Sequence, residues 1–295
     1  MNFPEELANR TQWTEGVVKS FLPEESGNQK EIMEAMNYSV MAGGKRLRPM
    51  LMHETYRMFG GTGRVIQPLM AAIEMVHTYS LVHDDLPAMD NDQYRRGKLT
   101  THAKYGHAMG VLAGDGLLNY AFETAMTAFD CGEDAERVAK ALKILGRKAG
   151  IYGMIGGQVV DVQSTGKVVD QGTLDFIYEL KTGALLEASM MVGAVLAGAT
   201  EEEVAAIEQI ASDVGLAFQI RDDILDETST LEKLGKPIHS DERNEKTTYV
   251  TLKGLEQATK DVEEISARAL KRLAELPHEN EFLTELIKAL VYREK

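Results

Sequence analysis

Two short acidic runs are the residues best suited to chemistry. Asp84-Asp85-Leu86-Pro87-Ala88-Met89-Asp90 and Asp222-Asp223-Ile224-Leu225-Asp226 each hold three aspartates. Both follow apolar segments of helical character. Carboxylates are unfavourable there, because a helix C-terminus carries partial negative charge. Asp222 and Asp226 stand four residues apart and share a helix face, where like charges repel unless a cation bridges them. On a straight helix Asp84 and Asp90 would point about 120° apart. Pro87 should end that helix, so Asp90 is expected to fold back toward Asp84. Oxygen-only ligands suit Mg²⁺ or Mn²⁺, and Mg²⁺ commonly brings a phosphate with it. One run alone would read as a solvated helix end; two weaken that reading sharply. The spacing does not fit an EF-hand calcium loop.

Basic residues lie beside these runs. Lys45, Arg46 and Arg48 follow Gly43-Gly44, and Arg95, Arg96 and Lys98 follow the first acidic run. Lys181-Thr182-Gly183 precedes the second run, and Lys236 and Lys246 come after it. Each cluster alone would be a solvated face. Beside two magnesium-type runs, in a chain of net charge −14, they point to phosphate handling. Arg grips phosphate oxygens in bidentate fashion, and glycine lets backbone approach closely. Two metal walls and two phosphate grips in an apolar cavity suit a reaction in which diphosphate leaves and a hydrocarbon cation forms.

These residues need a scaffold, and the sequence describes one. The chain has 295 residues, 44% hydrophobic and 26% charged, which fits a soluble globular protein. The acidic balance argues against a nucleic-acid partner. The single cysteine, Cys131, excludes an internal disulfide and a cysteine-based zinc site. The N-terminus does not read as a signal peptide, and the longest weakly polar stretch, 188–199, falls short of a transmembrane segment. A cytoplasmic enzyme is the default expectation. Apolar residues at Val204, Ile207, Ile210, Val214 and Phe218 predict a helix over 201–226, with Thr200 as N-cap. Residues 256–276 read as an amphipathic surface helix and 68–83 as a helix buried on most sides. Strong period-2 alternation is absent. The expected fold is all-α: a large single-domain helical bundle spanning 1–295 around a deep central cavity.

Taken in order, the motifs resemble the trans-isoprenyl diphosphate synthases, most closely the bacterial farnesyl diphosphate synthases. The resemblance spans nearly the whole chain. It includes Gly43-Gly44-Lys45-Arg46-Leu47-Arg48-Pro49, the Asp84–Asp90 run with Arg95-Arg96-Gly97, and Gly157-Gln158 with Asp161. Lys181-Thr182, Phe218-Gln219 leading into Asp222–Asp226, Gly235-Lys236 and Lys246-Thr247-Thr248-Tyr249 complete it. It implies the isoprenoid synthase fold, a homodimer, prenyl diphosphate substrates and three Mg²⁺ per site, with Mn²⁺ as a substitute. It implies that Asp84, Asp90 and Asp222 ligate metal while Asp85, Asp223 and Asp226 support them. Arg95, Lys181 and Lys236 would grip the allylic diphosphate. Thr182 and Gln219 would lie near the allylic carbon. Lys45, Arg48, His77 and Arg96 would hold isopentenyl diphosphate. His77, seven residues before Asp84, falls about 20° from its line on the wheel.

Within this resemblance, a bulky aromatic five residues before the first run limits products to C15, which makes Tyr79, with Ser80, the expected chain-length floor. The wheel itself sets Tyr79 about 140° from Asp84 and does not point it into a tail channel. His239 stands where the family commonly has glycine, which leaves the loop between Lys236 and Lys246 open in conformation. A C20 synthase is the nearest alternative. A non-catalytic partner subunit should have lost aspartates, and both runs are complete. A phosphohydrolase would need a second His pair; a terpene cyclase would not need the grip at Lys45, Arg48 and Arg96.

Overall fold

The computed structural model describes residues 1–132, 134–228 and 247–292. Helices α1 (Phe3–Ser20), α2 (Lys30–Val40), α3 (Leu47–Met58) and α4 (Ile66–Asp84) open the chain. A two-stranded hairpin follows, β1 (Tyr94–Arg95) against β2 (Lys98–Leu99), antiparallel with Tyr94 opposite Leu99. Next come α5 (Thr101–Tyr105), α6 (His107–Met126), a 3₁₀ turn (Thr127–Cys131), α7 (Ala135–Ala149) and α8 (Met154–Ser164). Helix α9 (Gln171–Ile177) runs through a π turn (Tyr178–Gly183) into α10 (Ala184–Ala197). Helices α11 (Glu201–Thr228), α12 (Tyr249–Lys253), α13 (Leu255–Glu275) and α14 (Glu281–Val291) complete the bundle.

The centre is α10. Every residue from Ala184 to Leu196 is buried, as an apolar helix surrounded by others must be. A Cβ at Gly193 would lie 2.3 Å from the Met52 carbonyl oxygen, so glycine lets α3 close onto α10. Glu187, inside this helix, meets Lys148 of α7, whose Nζ is also 2.6 Å from Glu208 on α11. Helix α4 is buried along most of its length, as its sequence predicts. It packs with α6 in one core; α3, α10, α11, α13 and α14 share a second.

The fold is all-α as expected, and two features add to that reading. The helix from Gln171 to Ala197 is 27 residues long and apolar enough, by length and composition, to cross a membrane. However, 78% of its most apolar window is buried inside the protein, the placement of a core helix. The other feature is the hairpin, a minor element within the all-α fold. Its strands are two residues each, too short for alternation to register. Its loop is Arg96-Gly97, with φ of 53° and 75°, the left-handed pair that a tight two-residue hairpin turn requires.

Candidate active site

The first acidic run ends α4. The chain turns at Pro87, and the Asp90 N–H donates to the Asp84 carbonyl at 2.9 Å. Asp85 is buried and accepts from Arg95, at 2.9 Å from Nε and 2.7 Å from Nη2. The hairpin holds Arg95 in this position. Asp84 accepts from Gln158 Nε2 at 2.6 Å. Burial first, then the neighbouring Asp90 and Asp85, push the Asp84 carboxyl up to about 6, against the pull of Lys181 and Arg95.

The second run lies on α11. Asp223 is buried and accepts from Tyr178 Oη at 2.5 Å and from the Tyr249 N–H at 2.7 Å. Asp226 is buried beside it. Asp222 and Gln219 line a cavity of 220 Å³ together with Asp161, Lys181 and Thr182. The Lys181 ammonium lies 2.6 Å from Asp161 Oδ2.

Lys181 and Thr182 also line a larger cavity of 680 Å³. Its polar lining includes Arg48, His77, Asp84 and Gln158; Tyr79, Leu118, Met154, Ile155, Val159 and Val162 make its lining largely apolar. The π turn thus stands between the two acidic runs. Single π turns recur at functional sites because they re-aim side chains within a helix. Gly157 lets α8 reach this turn, since a Cβ there would lie 2.3 Å from the Lys181 backbone nitrogen.

The basic residues divide into two settings. Arg48 faces the large cavity; burial lowers its pKa to about 10, with Glu74 opposing and Arg96 adding to the shift. His77 is held well below its usual value by burial, then by Arg48, Arg96, Arg95 and Arg46. Arg95 and Arg96 instead line a small hollow with Asp85. Arg96 donates to the Gly43 carbonyl, and Lys45 is exposed on the loop entering α3. Arg46 is buried and structural, donating to Glu74 and to the Val40 carbonyl, both at 2.8 Å. Lys236, Lys246 and His239 lie outside the described residues.

Tyr79 and Ser80 both line the large cavity. Tyr79 is 5% exposed, and its buried hydroxyl has no hydrogen-bond partner among the described residues. Burial, then Asp84, push its pKa up to about 12. The cavity wraps around the end of α4, so residues 140° apart on the wheel face one space. Sequence reasoning assigned no role to Gln158, Asp161, Tyr178 or Tyr249. Gln158 and Asp161 stood inside a quoted motif; nothing in the pattern marked Tyr178.

Among the described residues, no three His, Cys, Asp or Glu side chains converge closely enough to hold a metal ion by themselves. The donor set nevertheless fits Mg²⁺. It is all oxygen, and Asp84 is a carboxylate that burial and like charges disfavour, which a divalent cation would relieve.

The sequence matches the Polyprenyl synthetase family over residues 29–287. It is 44% identical to a geranylgeranyl diphosphate synthase of Cyanophora paradoxa, over 87% of this chain and 85% of that one. It is 43% identical to the farnesyl diphosphate synthase of Geobacillus stearothermophilus, over 84% of each. The fold superposes on the Helicobacter pylori geranyltransferase complexed with magnesium and isoprenyl diphosphate. The TM-score is 0.82 at 31% identity, covering 99% of this chain and 97% of that one. The chain therefore belongs to the polyprenyl synthetase family and is a prenyltransferase, a trans-prenyl diphosphate synthase.

Proposed function

We propose that the protein joins isopentenyl diphosphate to dimethylallyl diphosphate and then to geranyl diphosphate, stopping at C15 farnesyl diphosphate. The observation that carries this reading is Tyr79, a buried aromatic in the wall of the apolar cavity that also meets Asp84. Asp84, Asp90 and Asp222 would hold Mg²⁺, with Asp85, Asp223 and Asp226 in support. Bound Mg²⁺ supplies positive charge for the departing diphosphate. Lys181, Arg95 and Lys236 grip the allylic diphosphate. Thr182 and Gln219 aim their dipoles at the allylic carbon as its C–O bond breaks. Lys45, Arg48, His77 and Arg96 hold isopentenyl diphosphate, whose C4 forms the new C–C bond. The C2 proton then leaves with the released diphosphate as acceptor. The apolar wall keeps water from the cation.

The protein is further proposed to act as a homodimer. Val111, Leu112, Met126 and Phe129, exposed on α6 and the turn after it, support a self-association face. Light scattering at twice the chain mass is the expected result.

The test is product length. Purified protein is incubated with isopentenyl and dimethylallyl diphosphates and Mg²⁺, and the dephosphorylated alcohols are identified by mass spectrometry. A dominant C15 alcohol is expected. A dominant C20 alcohol would keep the enzyme class and overturn Tyr79 as the floor. Untouched substrates would favour a non-catalytic partner subunit.

A further inference from the structure

The hairpin that carries Arg95 and Arg96 is held from outside by α2. The Tyr38 hydroxyl of α2 donates to the Leu99 carbonyl on β2 at 2.7 Å. The Tyr38 ring meets that of Tyr105 on α5 edge to face, with centroids 5.6 Å apart. The exposed Lys104 places its ammonium 3.7 Å from the Tyr38 centroid and 4.9 Å from that of Tyr105. A cation shared by two aromatic rings is attracted by both. Beside this cluster the buried Ser39 and Thr101 hydroxyls meet at 2.7 Å. The loop leaving α2 continues the contact: Lys98 Nζ donates to the Met41 carbonyl at 3.4 Å, and Arg96 donates to the Gly43 carbonyl. Lys45 and Arg48 follow in the same stretch of chain.

We propose that Tyr38 and Lys104 are positioning residues for isopentenyl diphosphate: by fixing the hairpin against α2, they hold Arg96 in register with Lys45 and Arg48. This rests on the reading of Lys45, Arg48, His77 and Arg96 as the isopentenyl diphosphate grip. Like charges must be brought together there before the diphosphate arrives. Arg48 and Arg96 already repel one another, so their approach needs a scaffold, and a scaffold built in advance spares the ligand that cost. The two arginines of the hairpin differ in what fixes them. Arg95 is clamped by Asp85 through two nitrogens. Arg96 stands in the turn, with φ of 53°, and reaches the loop leaving α2. Loosening Tyr38 or Lys104 therefore displaces Arg96 while Asp85 keeps Arg95 in place. The loss should fall on one substrate rather than on both.

The test is steady-state kinetics of the full chain with Mg²⁺, varying isopentenyl diphosphate at saturating dimethylallyl diphosphate and then the reverse. Tyr38→Phe, which keeps the ring and removes the bond to Leu99, should raise KM for isopentenyl diphosphate about three- to tenfold. Lys104→Ala should raise it about two- to fivefold. KM for dimethylallyl diphosphate and kcat should stay within about twofold of the parent in both. Lys104→Arg, which keeps a cation on the rings, should restore the parent value. A merely structural role would lower thermal stability and leave both KM values unchanged, or raise the two equally; either outcome overturns the proposal. Tyr38→Phe and Lys104→Ala remove different contacts, so one that fails to fold leaves the other to decide. Arg96→Ala separates the proposal from the reading beneath it, and should raise KM for isopentenyl diphosphate more than either variant. If it does and the other two have no effect, the positioning role fails and the grip stands. If Arg96→Ala leaves that KM unchanged, the grip fails and takes the proposal with it.

Discussion

The two acidic runs solve one problem with different backbones. The first breaks its helix at Pro87 and folds Asp90 back onto the end of α4. The second keeps one unbroken helix from Glu201 to Thr228. Yet in each Asp-Asp pair the second carboxylate is bound to the scaffold. Asp85 is clamped by Arg95, and Asp223 by Tyr178 and the Tyr249 N–H. The first carboxylate, Asp84 or Asp222, lines a cavity; Asp84 also accepts from Gln158, and Asp223 shares the smaller cavity with Asp222. A buried carboxylate needs donors. A ligand carboxylate needs an approach from outside, so adjacent aspartates, about 100° apart around a helix, can divide the two tasks.

This division is most exposed to the first carboxylates. Asp84→Asn and Asp222→Asn should each lower kcat by about 10²–10³-fold, the usual cost of losing one group that stabilises developing charge. Steady-state kinetics at saturating substrate and Mg²⁺ checks it.

The next effect is one of pH. Asp84 carries a pKa pushed up to about 6 from 3.8, so the folded state binds its proton more tightly than the unfolded state does. Stability at this group is therefore lost as pH rises from about 4 to about 6 and stays lost above. Without Mg²⁺, Asp84→Asn should be more stable than the parent by up to about 3 kcal/mol above pH 6. The difference should vanish near pH 4. Urea unfolding of both proteins across pH reads it.

Smaller losses belong to the anchors. Asp85→Asn and Asp223→Asn should lower activity by about 10–100-fold, as removal of groups that orient metal ligands does. Smallest is Tyr178→Phe, which removes one of the hydrogen bonds to Asp223. A loss of about 1 kcal/mol, read as a several-fold drop in kcat/KM, is expected.

The helices and the motif residues were largely legible because period and caps agree. Thr200 shows why. Its Oγ1 accepts from the Glu203 N–H at 3.2 Å, and Glu203 Oε2 accepts from the Thr200 N–H at 2.8 Å, a reciprocal cap that fixes the start of α11. What escaped were features that leave helical periodicity intact or are too short to express another. The π turn adds a residue to a turn whose side chains still look helical. The hairpin offers two residues per strand. The anchors Tyr178 and Tyr249 are distant in sequence from Asp223, and only tertiary folding brings them to it. Tyr79 marks the limit of the wheel, which orients residues about an axis but does not know where a cavity bends around the helix end.

The most direct test of the division is a Mg²⁺ titration of turnover for Asp84→Asn, Asp85→Asn, Asp222→Asn and Asp223→Asn side by side. The account predicts that the Mg²⁺ concentration for half-maximal rate rises at least tenfold for Asp84→Asn and Asp222→Asn. It should move little for Asp85→Asn and Asp223→Asn, whose losses fall in the maximal rate. An equal rise in all four would contradict it, because each pair would then act as two ligands rather than one ligand and one anchor.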